Sequence, residues 1–233
     1  METCTSGTAE GKTRKGLPIL IQVVETMGSV LYSAIPPTST LYARLQEEKA
    51  FTTLIVSLFP YGCGIFCFFE IETDEVEEIL GWVMEAHQDT LGSESEAKRW
   101  IGEFRAELER TRNLYPGIED RTAFIEKCSD EIEKRLLQKL REKQGEDASE
   151  LVSKLMFGEQ TLAPHLLPTS DSLELVSLSL VQEGAKILRE ITPEMLFARD
   201  QGWEEWCLEN FEEWRNLYIE AAEKSEEILV GYG

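Results

Sequence analysis

The sequence predicts a mainly α-helical fold, an irregular multi-helix bundle with one small apolar β-hairpin near residues 51–71. Three observations carry that prediction. From about residue 73 onward, apolar residues recur at three- and four-residue spacing between recognisable caps. Ala50 to Phe69, AFTTLIVSLFPYGCGIFCFF, is a run of twenty residues without a charge in a chain whose residues are 29% charged. The centre of that run, Phe59-Pro60-Tyr61-Gly62-Cys63-Gly64, is turn chemistry. It is flanked by β-branched and aromatic residues: Thr52, Thr53, Ile55 and Val56 before it, Ile65, Phe66, Phe68 and Phe69 after it. Two other readings compete, a buried helix broken at Pro60 and a membrane span, since about 18 uncharged residues suffice to cross a bilayer. Proline and two glycines at the midpoint weigh against a continuous helix.

At 233 residues the chain is long enough to bury a core without disulfides or metals. Forty-four acidic against 23 basic residues leave a formal charge of −21. Such a surface repels phosphate backbones and anionic membranes, so direct nucleic-acid binding and membrane attachment are disfavoured. The five cysteines, Cys4, Cys63, Cys67, Cys128 and Cys207, are odd in number and scattered. The start, METCTSGTAEGKTRKG, lacks an apolar signal core, and reduced thiols in a cytoplasmic setting are expected.

Residues 1–16 read as a disordered tail. Ser6 to Thr13 approaches a phosphate-binding loop, but Ser6 stands where glycine is needed and no strand precedes it. Residues 17–158 form the expected helical subdomain containing the hairpin. In it Leu20, Val23, Val24, Met27, Val30, Leu31 and Ala34 give one apolar helical face up to Pro36-Pro37, with a hairpin turning at Glu25 to Gly28 as the competitor. Thr38 to Thr40 cap a short helix through Lys49. A further helix runs from about Asp74 to His87, and Ser93 with Glu96 is a capping box for the next, which stops near Tyr115-Pro116-Gly117. Asp120 is read as the cap of a long helix carrying Ile125, Cys128, Ile132, Leu136 and Leu140, followed by one through Leu151 to Met156 ending at Gly158. Residues 159–171 are an irregular connector. Residues 172–233 are a C-terminal helical segment expected to pack on the same core, although Leu173 to Leu180 partly alternates and also reads as a strand.

The last helix is predicted from Trp203 to Leu229. Trp203, Cys207, Phe211, Trp214, Leu217 and Tyr218 share one side, and nine glutamates lie between residues 203 and 228 against Arg215 and Lys224. An aromatic stripe at this spacing is ordinarily core. As a surface it would be an interface, because Trp and Tyr dominate binding hot spots. Trp206, off the stripe, is the candidate for exposure. Trp203, Trp206, Phe211, Trp214 and Tyr61 are therefore the candidate partner-binding residues.

No catalytic, cofactor-binding or metal-ligating residue is assigned, and no cofactor is expected. His87 and His165 stand alone, Cys63 and Cys67 have no second pair for zinc, and no Glu-x-x-His pair is present. The carboxylates between Glu70 and Glu78 do not follow a calcium-loop spacing and suit a helix start. The expected function is a non-catalytic acidic helical interaction module, an adaptor, assembly subunit or regulator, that meets another protein through a basic surface. The alternatives are an acidic antagonist occupying the basic groove of a nucleic-acid-binding protein, and an enzyme whose site is assembled from scattered residues such as His87, His165 and Cys63.

Overall fold

Ser29–Ile35 is the first strand (β1), an interior strand paired on both edges in a five-stranded antiparallel sheet. The computed structural model describes residues 29–58, 65, 73–144, 148–162, 164, 172–199 and 202–232. After β1 come helices α1 (Thr40–Glu47), α2 (Lys49–Leu58), α3 (Thr73–Leu91) and α4 (Glu94–Leu114), then strand β2 (Thr122–Glu126). Helices α5 (Ser129–Gln144) and α6 (Ala148–Phe157) follow, then β3 (Gln160–Thr161), β4 (Leu173–Val176) and α7 (Leu178–Arg189). A 3₁₀ turn at Pro193–Met195, helix α8 (Trp203–Lys224) and strand β5 (Glu227–Tyr232) complete the order. The sheet runs β2-β1-β5-β4-β3, so β5, made last, sits between β1 and β4. The chain is mainly α-helical with one small sheet, as its periodicity indicates.

The sheet is not where the hairpin was expected. Lys49–Leu58 is helical, which removes the first arm of the hairpin at residues 51–71; the second arm, apart from Ile65, lies outside the described residues. The physical reason is that the hydroxyls of this run bond backward along a helix. Thr52 Oγ1 donates to the Leu45 carbonyl at 2.8 Å and to the Glu48 carbonyl at 3.0 Å, and Ser57 Oγ donates to the Thr53 carbonyl at 2.9 Å. Phe51, Leu54 and Ile55 then fall on one face, and the Phe51 ring meets Phe104 of α4 edge-on, 5.7 Å between centroids. Residues 51–57 are buried throughout, which is the composition of a helix enclosed on all sides. The described half of the run thus follows the buried-helix reading.

Three other expected helices give up residues to strands. The helix expected over Leu20 to Ala34 is strand from Ser29 on, while residues 17–28 and the tail 1–16 lie outside the described residues. Val30, Leu31, Tyr32, Ala34 and Ile35 are all buried because both faces of β1 are covered: Tyr32 reaches α6, and Ser33 Oγ accepts from the Ile65 N–H at 3.2 Å. The first turn of the helix expected after Asp120 is β2, where Ala123 and Ile125 point inward and their neighbours do not; Lys127, at φ 56, then breaks the strand before α5. The last helix ends at Lys224, where Ser225 turns left-handed (φ 57) and the Glu226 N–H closes onto the Ala221 carbonyl, sending residues 227–232 into the sheet. Leu173–Val176 takes the strand alternative, and the connector contributes β3 before passing outside the described residues.

Elements whose signals are local stand as expected. Ser39 caps α1, accepting from the Tyr42 N–H. Ser93 and Glu96 form both arms of the capping box of α4, and α6 stops at Gly158, whose φ is +81; a Cβ there would lie 2.4 Å from Glu174 Cβ. Helix α3 extends to Leu91 across a break at His87, which has φ −131.

The C-terminus of α6 is anchored by three tyrosines. The hydroxyl of Tyr218 donates to the Leu155 carbonyl at 2.5 Å, that of Tyr32 to Met156 at 2.8 Å and that of Tyr232 to Phe157 at 2.8 Å, while the Gly158 N–H donates to Lys154. All four carbonyls left over at the helix end are therefore satisfied, three of them by side chains from β1, α8 and β5. Burial pushes the phenols of Tyr32 and Tyr218 well above the ordinary tyrosine range, so each keeps the proton that it donates to α6. Replacing Tyr32 or Tyr218 by Phe leaves a buried carbonyl unpaired and is expected to lower stability by about 1–3 kcal/mol. Tyr232→Phe, half-buried, should cost less. Guanidinium denaturation midpoints of the three variants give the comparison.

The two ends of α7 are served by charged side chains in the same way. Glu159 accepts from the Ser177 N–H and Glu227 from the Leu178 N–H, placing carboxylates at the positive end of the helix. At the other end Arg215 Nε donates to the Leu188 and Ile191 carbonyls at 2.8 and 2.9 Å. A buried pair, Arg121 with Glu226, joins the turn before β2 to the turn before β5 through two bonds of 2.8 and 2.7 Å.

Candidate functional site

Helix α8 separates its aromatic residues into two populations. Phe211 and Trp214 are fully buried, within 5.9 Å of each other, and Trp214 also meets Tyr218 at 4.9 Å and Tyr32 at 6.1 Å. That stripe is core. Trp203 is 49% exposed and Trp206 half-buried, and their rings meet edge to face with centroids 5.1 Å apart. The exposed side of α8 therefore begins at Trp203 and continues through Trp206. Of the candidate partner-binding residues the structure brings Trp203 and Trp206 together at the surface and places Phe211 and Trp214 in the interior; Tyr61 lies outside the described residues.

The position of the pair is set by an arginine on another helix. Arg135 of α5 donates to Glu204 through both terminal nitrogens, at 2.5 and 3.0 Å, to Glu131 at 2.7 Å and to the Leu196 carbonyl at 2.7 Å. Its guanidinium lies 4.6 Å from the centre of the Phe197 ring, and Glu204 also accepts from the Ala198 N–H. This clamp fixes the first turn of α8 against α5 and the segment before it. Asn210 adds a second tie, accepting from the Glu126 N–H of β2 and donating to the Trp206 carbonyl. Neither tie has a sequence signature, since the partners that Arg135 and Asn210 reach on other elements, Leu196, Glu204 and Glu126, lie 61 to 84 residues away.

The clamp also determines an acid response. Arg135 and the Ala198 N–H hold the Glu204 carboxyl down at about 2, against an ordinary 4.5. A depressed carboxyl contributes stability above its unfolded value and loses that contribution as pH falls through the folded one. The α8 start is therefore expected to loosen between about pH 4.5 and 2. A red shift of Trp203 and Trp206 emission over that interval, absent in Glu204→Gln, is the measurement; a Trp214→Phe background removes the buried reporter on the same helix.

Cys207, next to Trp206 in the chain, and Cys128 are buried and share a hydrogen bond. Burial pushes the Cys128 thiol up to about 12 and raises Cys207 as well, so both are held protonated, whereas nucleophilic cysteine chemistry requires the thiolate. His87 is half-buried on α3, while His165, Cys63 and Cys67 lie outside the described residues. Among the described residues no three His, Cys, Asp or Glu groups are placed to hold a metal ion, and no helix is long and apolar enough to cross a membrane.

Fold and surface together define a mainly helical domain on a five-stranded antiparallel sheet, presenting a clamped tryptophan pair at the start of one helix. No family model, curated protein or solved structure matches the chain.

Proposed function

We propose that this chain is a protein–protein interaction module, acting as an adaptor, assembly subunit or regulator in the cytoplasm, and that it docks through the first two turns of α8. The observation that supports this reading is the Trp203–Trp206 pair. Tryptophan left at a surface forgoes the burial that usually stabilises it, and here Arg135, bonded to Glu204 and to the Leu196 carbonyl, holds the turn that exposes it. A rigid aromatic anchor of this kind loses little entropy on binding and is the commonest energetic centre of interfaces.

The test is recovery of a complex from the native source with the intact protein, with Trp203→Ser/Trp206→Ser, and with Leu114→Ser as a control at another exposed apolar side chain, 66% exposed. The reading expects one stoichiometric partner that the double variant loses, with its fold unchanged by circular dichroism, and that Leu114→Ser retains. Equal recovery with all three proteins removes α8 as the docking surface. A second reading, the acidic antagonist of a basic groove, draws support from the glutamates of α8; it expects binding that weakens steeply with salt even in the tryptophan variant.

A further inference from the structure

Among the described residues, the tryptophans with solvent-accessible rings stand in two different environments. Trp100, half-buried on α4, is covered by the protein's own cations: the Arg99 guanidinium lies 4.7 Å and that of Arg44 5.6 Å from its ring centre. Among the described residues no cationic group stacks on Trp203 or Trp206. The nearby arginines are committed elsewhere: Arg135 to Glu131 and Glu204, Arg199 to Glu194, Arg215 to the carbonyls ending α7.

The same helix face continues as carboxylates. Glu209, Glu213 and Glu220 follow Trp206 at steps of three, four and seven residues, which keeps them on one stripe about 21 Å long. All three are exposed, and none forms an ion pair among the described residues, whereas Glu204 in the first turn of α8 and Glu223, three residues beyond Glu220, do. An electron-rich ring face at one end and a row of unpaired carboxylates beyond it have a common complement, a row of cations.

We infer that the unpartnered face of α8, from Trp203 and Trp206 through Glu209 and Glu213 to Glu220, docks a basic protein segment, one of whose arginines or lysines stacks on the tryptophan pair while others meet the glutamates. The protein's own packing supplies the precedent for the first contact, with arginines seated on Trp100, Phe51 and Phe197. Charge complementarity supplies the second, and the spacing of the glutamates suits cations carried at three- and four-residue intervals. A cation on the ring also fixes register, which a uniform acidic field does not. The inference rests on the docking reading of α8 and names the chemistry of the partner.

The experiment uses the full chain and a labelled fifteen-residue probe peptide of arginine and alanine, arginine at every third or fourth position, with the same peptide carrying neutral, isosteric citrulline as its counterpart. Fluorescence anisotropy titrations are run at low and physiological salt on the parent, on Trp203→Ser, on Trp206→Ser, on Glu209→Gln/Glu213→Gln, and on Glu85→Gln/Glu109→Gln, which removes the same charge from exposed sites on α3 and α4. The arginine peptide is expected to bind and the citrulline peptide to bind at least about tenfold more weakly. Each tryptophan variant should lose about two- to fivefold, the α8 glutamate variant about threefold or more, and the control pair less than about twofold. Equal losses in the two glutamate variants, or tryptophan variants that bind like the parent, overturn the inference, because the peptide then answers only to net charge. A native partner lost with the tryptophans but indifferent to salt and to Glu209→Gln/Glu213→Gln overturns it too, while leaving the docking reading intact.

Discussion

Trp214→Ala is expected to lower stability by about 3–5 kcal/mol, read as a fall in the guanidinium midpoint at unchanged slope. Trp214 has no exposed surface and is the meeting point of Tyr32 from β1 with Phe211 and Tyr218 from its own helix. Truncation leaves a cavity among aromatic rings that are each held by other contacts, Tyr32 and Tyr218 by their hydroxyls on α6, so the space cannot collapse easily. Trp214 also carries a cost of its own: its indole N–H is buried with no hydrogen-bond partner among the described residues. An orphaned donor costs about 1–3 kcal/mol, so Trp214→Phe, which removes the donor along with part of the volume, should be far milder than alanine. Trp203→Ala, at an exposed site, should change stability by less than about 1 kcal/mol. If Trp203→Ala proved as damaging as Trp214→Ala, the division of α8 into a buried stripe and a free tryptophan pair would be wrong.

The second large effect is expected at Arg121. Its guanidinium and the Glu226 carboxylate are 4% and 3% exposed, and they pair through two bonds. Arg121→Met strands a carboxylate in the interior and should cost about 3–5 kcal/mol, whereas Arg121→Met/Glu226→Leu, which removes both charges, should recover most of the loss or exceed the parent. The pair lies 105 residues apart in sequence and joins the two turns from which β2 and β5 depart. A double-mutant cycle by urea denaturation measures the coupling. A double variant as unstable as the sum of the single losses would mean that each side chain is held by something other than its partner.

Both sites illustrate where sequence reasoning reached its range. Helix ends were legible because their determinants lie within a few residues: Ser93 with Glu96, Ser39 with Tyr42, Gly158 after Phe157, Pro116-Gly117 after Tyr115. Strands were not, because their pairing partners are distant. Val30 sits opposite Tyr232 and Gln160 opposite Leu175, and an interior strand buried on both faces, such as β1, shows no alternation to separate it from a buried helix. In the apolar run after Ala50, β-branched and aromatic residues suggested strand, yet Thr52 and Ser57 return their hydroxyls to the helix backbone and Phe51 finds Phe104. Tertiary packing outweighed propensity there.

By itself, the sequence determined a mainly helical, strongly acidic chain, the ends of several helices and the aromatic character of α8, all of which follow from composition or from interactions spanning one turn. Only the tertiary structure decided that five short segments form one antiparallel sheet, and which side of α8 meets solvent. That side is free because β2, α7 and the Arg135 clamp engage the others, so the helix buries Phe211 and Trp214 and leaves Trp203 and Trp206 outside. Helical periodicity can place residues on a common face, but it does not contain the contacts made 60 to 100 residues away that choose which face the core takes.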